Sequence, residues 1–472
     1  MLEFIPLLDK NSKVPLYVQL YQYIKQKIEE DKIPEGSILP SIRYLSGQLR
    51  VSKNTVEGAY QQLIAEGYVA STARIGLKVL PLEKTTLSAP LQKQTKKTKE
   101  PLENKEEKFY YDFNYGDIDV NSFPLHIWKR CLNKALMNEP EQLSKPGERK
   151  GDIGLRKELA NYLFQSRGVN CSEEQIVICS GTQHAISLII QLLSAEEHSV
   201  AMENPSYDGA QSVFNNHGWK INPIGLEKDG IDIEQLQKVK AKVAYITPSH
   251  QFPYGMVLPI KKRLLLLEWA SKNHSFIIED DYDSEFRYMG QPIPSLKALD
   301  TKENVIYFGT FSKSFTPAVR VSYIVLPQRL MDVYQHMYIN YYQSVPSIIQ
   351  KGLSIFMNEG HFTSHIRRMR KVYQKKHQTL VDALNKYMGG HIEIVGQKAG
   401  LHLLVNVKNR STKELVKEAK KIGVRVYDPT FYALNESEVN SSLVMMGFGG
   451  VPEEKIDKGV QLLQKAWFTD ES

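Results

Sequence analysis

The fourteen residues YFGTFSKSFTPAVR, Tyr307 to Arg320, decide how most of this 472-residue chain is interpreted. An apolar, strand-like run from Asn304 to Phe308 ends here in small hydroxyl residues around one lysine. Lys313 could form an imine with an aldehyde, and the hydroxyls together with Arg320 could hold a phosphate. Pyridoxal 5′-phosphate carries both groups, and proteins that use it anchor it through a lysine Schiff base. The alternative is a surface lysine in a serine-rich loop, so residues elsewhere must decide.

Length and composition favour one small and one large domain, or about three domains of ordinary size. A content of 42% hydrophobic and 24% charged residues allows real cores. The net charge of +7 permits a nucleic-acid partner but does not require one. The three cysteines have no zinc-binding spacing, so we predict no metal site and a reduced compartment. Without a signal peptide or a membrane-length apolar run, we expect a cytoplasmic protein with no membrane partner.

The first eighty residues predict three helices followed by a two-stranded wing. Apolar residues recur at helical spacing from Val14 to Glu30, and a Pro-Glu-Gly-Ser break follows. Ser41 is placed to cap a second helix, and Ser52 to cap a third over residues 53–65. Two short strands, at 68–70 and 77–80, flank a turn at 71–76 and complete a winged helix-turn-helix.

This arrangement suits DNA, because the first residues of a recognition helix face base edges in the major groove. Helix N-termini and hydroxyl groups also bind phosphates. An arginine at the tip of the wing could enter the minor groove. The candidate DNA-contacting residues are Arg43, Ser52, Lys53, Asn54, Thr55 and Arg74.

Four short motifs in this region carry a family resemblance: PSIR (40–43), VSKNTV (51–56), AYQQL (59–63) and EGY (66–68). From Val14 to Val79 the chain resembles the GntR-type winged-helix domain. Arg50 departs from the family, which usually has glycine before the Val-Ser pair, and could be a further phosphate contact. The alternative is a small helical bundle that makes protein contacts.

Residues 81–108 separate two regions of different pattern. They are rich in lysine and glutamate, contain three prolines and show little periodicity, which is typical of a flexible charged linker. A basic cluster at 94–99 could alternatively touch the DNA backbone. We therefore predict a DNA-binding domain at 1–80, a linker at 81–108 and a large domain at 109–472.

The large region alternates short apolar strands with helices, as an α/β sheet requires. Several strands end in polar clusters, where open α/β sheets place ligand sites. Ser180 to Gln183 form a glycine-containing turn before a helix predicted to start at His184, which could seat a phosphate. Tyr207 follows another strand and could stack on a flat heterocycle.

The strand that ends near Glu279 leads into the cluster Asp280-Asp281-Tyr282-Asp283. An aspartate at a strand end could hold the proton on a pyridinium nitrogen, and a nearby tyrosine could bond the cofactor's phenolic oxygen. Asp280 and Tyr282 are the first choices. Asp281 and Asp283 are the alternatives for the aspartate.

Taken together, these segments resemble the fold-type I aminotransferase family, roughly from Phe109 to Phe468. The resemblance implies that Lys313 bonds pyridoxal phosphate, Asp280 pairs with its ring nitrogen and Tyr282 bonds its ring oxygen. Tyr207 would stack on the ring or lie near it, and His250 could replace the usual asparagine, because Gln251-Phe252-Pro253 stands near the usual Asn-Pro turn. The phosphate would be held by Ser180, Thr182, Gln183, Thr310, Ser312 and Arg320.

A winged helix fused to an aminotransferase-like domain resembles the MocR/GabR subfamily of GntR regulators. The motifs SHQFP (249–253), EDDYDSEF (279–286) and TFSKS (310–314) are particularly characteristic. The resemblance implies a bacterial regulator that binds an operator and pyridoxal phosphate, responds to a small effector and forms a head-to-tail homodimer.

The arginines that usually bind an amino-acid carboxylate are missing. Met445 and Met446 stand before Gly447-Phe448, and Asp208 follows Tyr207; Arg287 and Arg425 are nearby but not at matching places. We therefore expect inefficient transamination, and a signal that is either pyridoxal phosphate itself or an amine whose carboxylate is absent or bound differently. The alternatives are an active aminotransferase with an accessory DNA-binding domain, and a DNA-binding protein whose large domain only dimerises.

Overall fold

A computed structural model of the chain describes residues 6, 8–72, 75–82, 109–138, 140, 144–193, 198–288, 293–434 and 442–468. The chain divides into two units, Met1–Glu106 and Glu107–Ser472. The predicted linker lies outside the described residues from residue 83 onward, and so does the wing residue Arg74. No described helix is both long enough and apolar enough to cross a membrane.

The first unit is the predicted winged helix. It contains α1 (Leu16–Glu29), α2 (Ile42–Leu49) and α3 (Lys53–Ala65), followed by the antiparallel pair β1 (Val69–Thr72) and β2 (Gly76–Val79). The Ser41 and Ser52 side chains accept hydrogen bonds from the backbone N–H groups of Tyr44 and Thr55, which caps α2 and α3. The apolar faces of the three helices and the wing bury one core, which includes Leu20, Ile24, Leu45, Val56 and Leu63.

The second unit begins with a short strand and two helices and then alternates strands with helices. Its elements up to the lysine-bearing turn are β3 (Tyr111–Asp112), α4 (Leu125–Asn138), α5 (Ile153–Arg167), β4 (Ile176–Cys179), α6 (Thr182–Leu192), β5 (Ser199–Glu203), α7 (Asp208–Asn216), β6 (Lys220–Ile224), β7 (Leu226–Glu227), β8 (Gly230–Ile231), α8 (Ile233–Lys238), β9 (Val243–Ile246), α9 (Ile260–Lys272), β10 (Phe276–Asp281), α10 (Leu296–Leu299), β11 (Val305–Thr310) and α11 (Phe311–Ser314).

After that turn the chain completes the large sheet and builds a smaller lobe. The remaining elements are β12 (Ser322–Val325), α12 (Gln328–Met337), α13 (Ser347–Asn358), α14 (His361–Met388), β13 (Ile392–Val395), β14 (His402–Val407), α15 (Thr412–Lys421), β15 (Val424–Arg425), β16 (Leu443–Gly447) and α16 (Glu453–Phe468). The smaller lobe pairs β13, β14 and β16 into an antiparallel sheet, which packs with α14, α15 and α16 around a separate apolar core.

The large sheet has seven strands in the order β4-β12-β11-β10-β9-β5-β6. Only β12 is antiparallel to its neighbours; the other pairs are parallel. Because β10 and β11 run parallel in register, with Asp280 opposite Phe308, their carboxyl ends bring Asp280 and the turn that follows Thr310 to the same edge. Helix α6 begins two residues earlier than predicted, so Thr182 and Gln183 lie in its first turn rather than in the loop.

Candidate functional site

A cavity of about 360 Å³ opens at the carboxyl ends of β10 and β11, beside the first turns of α6 and α7. Its volume is within the range of small-ligand sites. Nine of the predicted cofactor residues line it: Thr182, Gln183, Tyr207, Asp280, Tyr282, Thr310, Ser312, Lys313 and Arg320. The other lining residues are Asn114, Tyr115, Gly116, Asp208, Thr247, Phe252, Pro317 and Tyr432. Ser180 and His250 are not among them.

Lys313 lies in the short helix α11, immediately after β11. Its Nζ donates to the carbonyl oxygens of Tyr115 and Gly116, at 3.0 and 3.1 Å, and lies 4.0 Å from the centre of the Tyr115 ring. Burial lowers the pKa of the Lys313 ammonium to about 8, although Asp283 and Asp117 act in the opposite direction. The neutral amine, which is the nucleophile, is therefore a larger fraction near neutral pH than for an exposed lysine, although the ammonium still predominates.

Asp280 is buried at the end of β10 and has one satisfied and one unsatisfied oxygen. Oδ2 accepts a short hydrogen bond from the Tyr245 hydroxyl, whereas the buried Oδ1 has no hydrogen-bond partner. Burial raises the pKa of this carboxyl to about 7. A buried polar atom without a partner is costly, so Oδ1 is suited to a cationic N–H group that enters the cavity.

The alternative aspartates have other partners. Asp281 is buried in an ion pair with Arg167 at 2.7 Å and accepts a hydrogen bond from Tyr307, so its charge is neutralised within the protein. Asp283 lies beside His250, with 3.0 Å between Oδ2 and the ring Nδ1. Neither carboxylate lines the cavity.

Tyr282 connects His250 to the cavity. The Tyr282 hydroxyl donates to the backbone carbonyl of His250 at 3.0 Å and lies 2.9 Å from the same residue's Nδ1. Gly400 packs tightly against this group, because a Cβ there would come within 2.1 Å of His250 Cε1. His250, predicted as a cofactor contact, thus lies behind Tyr282 and positions its hydroxyl.

One end of the cavity carries groups that suit an anion. Thr182 and Gln183 occupy the first turn of α6. Thr310 and Ser312, at the end of β11 and the start of α11, also line the cavity, and their hydroxyls are hydrogen-bonded to each other at 3.0 Å. The Arg320 guanidinium has no hydrogen bond or ion pair to any residue that the structure describes. A helix N-terminus with hydroxyls and a free guanidinium suits a phosphate.

Gly181 makes that end possible. It caps α6 with φ of 96°, and a Cβ at this position would lie 2.2 Å from Nη2 of Arg320. Only glycine combines this backbone conformation with such a close approach. Ser180 precedes it and is not among the lining residues of the cavity; its backbone N–H donates to Nδ1 of His184.

Sequence reasoning missed the aromatic wall. Phe252 packs against both Tyr115 and Tyr432, with ring centres 5.1 and 4.7 Å away, and Tyr207 lies 6.4 Å from it. Tyr115 and Tyr432 come from segments far from Lys313 in sequence, and no local pattern identifies them. Tyr245 could have been found, because a hydroxyl on a fully buried strand needs a partner.

The arginines considered as carboxylate binders lie elsewhere. Arg425 is 3.6 Å from Asp112 and stacks over Tyr427. The backbone of Arg287 pairs with that of Ala399 in an isolated antiparallel β-bridge. Met445 and Met446 are buried in β16. Among the described residues, Arg320 is the only arginine that lines the cavity.

In the first unit, the predicted DNA-contacting residues cluster at the start of α3 and on α2. Lys53 and Asn54 are exposed in the first turn of α3, and Arg43 is exposed on α2. The hydroxyls of Ser52 and Thr55 lie 2.8 Å apart, so both also stabilise the helix start. Arg74 lies outside the described residues.

Comparison with known proteins assigns both units. Residues 111–461 match the family described as aminotransferase class I and II, and residues 16–79 match the bacterial regulatory proteins of the gntR family. The chain is 38% identical to the uncharacterized HTH-type transcriptional regulator YdeL of Bacillus subtilis, over 99% of this chain and 100% of YdeL. It is 29% identical to the probable rhizopine catabolism regulatory protein MocR of Rhizobium meliloti, over 98% and 96% of the two chains.

Solved structures match the second unit. A kynurenine aminotransferase of Pyrococcus horikoshii, crystallised in complex with PMP, aligns with a TM-score of 0.68 and 25% identity. The alignment covers 77% of this chain and 92% of the aminotransferase.

Proposed function

This chain belongs to the MocR-like GntR-type transcriptional regulators, in which a winged helix precedes an aminotransferase class I and II domain, and we propose that it binds pyridoxal 5′-phosphate at Lys313 and senses a small amine there. The observation that carries the proposal is one cavity whose lining brings together three kinds of functional group. It holds a lysine of lowered pKa, a buried carboxylate oxygen without a partner, and an anion-binding end.

The residues present fit this cofactor. Lys313 would bond its aldehyde carbon, and the unpartnered Oδ1 of Asp280 would accept the hydrogen of its protonated ring nitrogen. Tyr282 would bond the ring oxygen, with its hydroxyl fixed by His250, and Tyr207 would lie against the ring. The phosphate would be bound by Thr182, Gln183, Thr310, Ser312 and Arg320. When bound, the cofactor supplies an electrophilic carbon that reacts reversibly with amines.

An amine effector would then replace Lys313 as the group bonded to the cofactor. Regulation requires that the two bonded forms favour different arrangements of the protein. A ligand shifts the balance between two arrangements only if it binds them with different affinities. The resemblance to the MocR/GabR regulators implies a head-to-tail homodimer, which we expect in the cytoplasm. With no arginine placed for an amino-acid carboxylate among the described lining residues, sensing is favoured over rapid transamination.

Visible absorbance of the purified protein tests the cofactor assignment. We expect an imine band in the wild type and its loss in Lys313→Ala, whereas Lys272→Ala, at an exposed ion pair on α9, should retain it. A wild-type protein that shows no band when loaded with pyridoxal phosphate, or a band that survives in Lys313→Ala, would contradict the proposal. Sustained release of keto acids from amino acids would instead favour an active aminotransferase.

A further inference from the structure

The charges on the cavity wall leave one acidic group unaccounted for. Lys313 and Arg320 are the cations among the described lining residues, and Asp208 and Asp280 are the anions. The proposed cofactor would use Lys313, Arg320 and Asp280. Asp208 is half-buried, and its side chain has no hydrogen bond or ion pair to any described residue.

Asp208 stands beside aromatic rings that could hold a cation. It follows Tyr207 directly, and Tyr207, Asp208 and Tyr432 all line the same cavity. Burial, with a smaller contribution from Asp208, raises the pKa of each hydroxyl to about 12, so both rings stay neutral. Aromatic faces attract ammonium groups, and the ammonium of Lys313 already lies over Tyr115 in this same wall.

The same wall opposes a carboxylate. Arg320, the one arginine that lines the cavity within the described part of the chain, lies against Gly181 at the anion-binding end. An amino-acid effector would therefore bring its carboxylate towards Asp208 without a guanidinium to neutralise it, and like charges brought together in a partly buried site repel.

A simpler role for Asp208 exists, because it is the first residue of α7, where an acidic side chain stabilises the helix dipole. That role would affect the stability of α7 but not the choice of ligand. Ligand preference therefore distinguishes the two roles.

We propose that the effector is an amine with a second positive charge and no carboxylate, such as an α,ω-diamine. One amine would react at the cofactor in place of Lys313, and the other, as an ammonium, would lie between Asp208 and the rings of Tyr207 and Tyr432. This inference rests on the proposed function, because the first amine needs the cofactor.

Three probes of equal chain length test it: 1,5-diaminopentane, n-pentylamine and 5-aminopentanoate. Each is titrated into the full-length, cofactor-loaded protein while the imine band is followed at fixed pH and low salt. We expect half-saturation by the diamine at about 10-fold lower concentration than by pentylamine, after correction for its two equivalent amines, which corresponds to one charge-assisted contact. The amino acid should be the weakest of the three.

Asp208→Asn is the matched variant, since asparagine keeps the size of the side chain. It should remove the advantage of the diamine and leave half-saturation by pentylamine unchanged. Equal affinity for diamine and pentylamine, tighter binding of 5-aminopentanoate, or a diamine advantage that survives Asp208→Asn would each overturn the inference while the imine band remains. Absence of the band in the wild type would overturn the proposed function itself.

Discussion

At the scale of single residues, the protonation of Lys313 should control cofactor uptake. Burial lowers its pKa to about 8 from the ordinary lysine value of 10.5, and only the neutral amine can attack an aldehyde. We expect the rate at which the cofactor-free protein takes up pyridoxal phosphate to rise with pH, with a midpoint near 8, and to level off above it. Stopped-flow absorbance of the imine band at pH 6.5–10 measures this rate.

Asp117→Asn provides the control for that midpoint. The Asp117 carboxylate favours the Lys313 ammonium and so holds its pKa up. Its removal should therefore shift the midpoint below that of the wild type. A rate that keeps rising to pH 10 in the wild type would show that Lys313 titrates as an ordinary exposed lysine.

At the scale of elements, the first turn of α3 should carry sequence recognition. Lys53 and Asn54 are exposed and are placed at the helix N-terminus, where recognition helices meet base edges. Lys53→Ala with Asn54→Ala should weaken binding roughly 10- to 100-fold to an operator selected from a random library with the wild-type protein. Fluorescence anisotropy at two salt concentrations also reports the loss of phosphate contacts as a smaller salt dependence.

Gln61→Ala is the matched control, because Gln61 is exposed on the same helix two turns further on. It should bind the operator as the wild type does. The double variant should also keep its imine band. Wild-type operator affinity in the double variant would show that another element reads the DNA.

Elements with strong local signals were predictable, and contacts between distant segments were not. Ser41 and Ser52 predicted the starts of α2 and α3, because a capping hydroxyl acts on the helix that it precedes. The start of α6 was predicted two residues too late, since the residue that caps it is Gly181, which has no side chain to signal a cap. Tyr115 and Tyr432 reach the cavity only through tertiary folding, which sequence periodicity does not report.

The site residues show the same division. Lys313, Asp280 and Arg320 meet in one cavity, as the strand-end rule predicts, because parallel strands bring their carboxyl ends to one edge. Ser180 lies in the same turn as Thr182, and His250 in the same turn as Phe252, but neither lines the cavity. Ser180 precedes the cap of α6, and His250 is held behind Tyr282, so each lies two residues from the nearest lining position, Thr182 or Phe252. Their roles stay predictions for mutagenesis.

At the scale of the whole molecule, a regulator built from two units must obey a thermodynamic constraint. If an amine changes operator affinity by some factor, operator DNA must change amine affinity by the same factor, whatever path connects the units. Coupling of this kind is typically about 5- to 150-fold. We expect the half-saturation of the imine-band shift by 1,5-diaminopentane to move by that factor when saturating operator is added.

The direction of the shift identifies the form of the protein that binds DNA. If operator raises the half-saturating amine concentration, the Lys313-bonded form is the one that binds the operator, and the amine releases it; a decrease means the reverse. Pentylamine provides the control, because it reacts at the cofactor without a second charge for Asp208. Should both amines shift the imine band while operator affinity stays constant, the second unit would bind amines without communicating with the winged helix. Its retention of Lys313, Asp280 and the anion-binding end would then require a catalytic explanation.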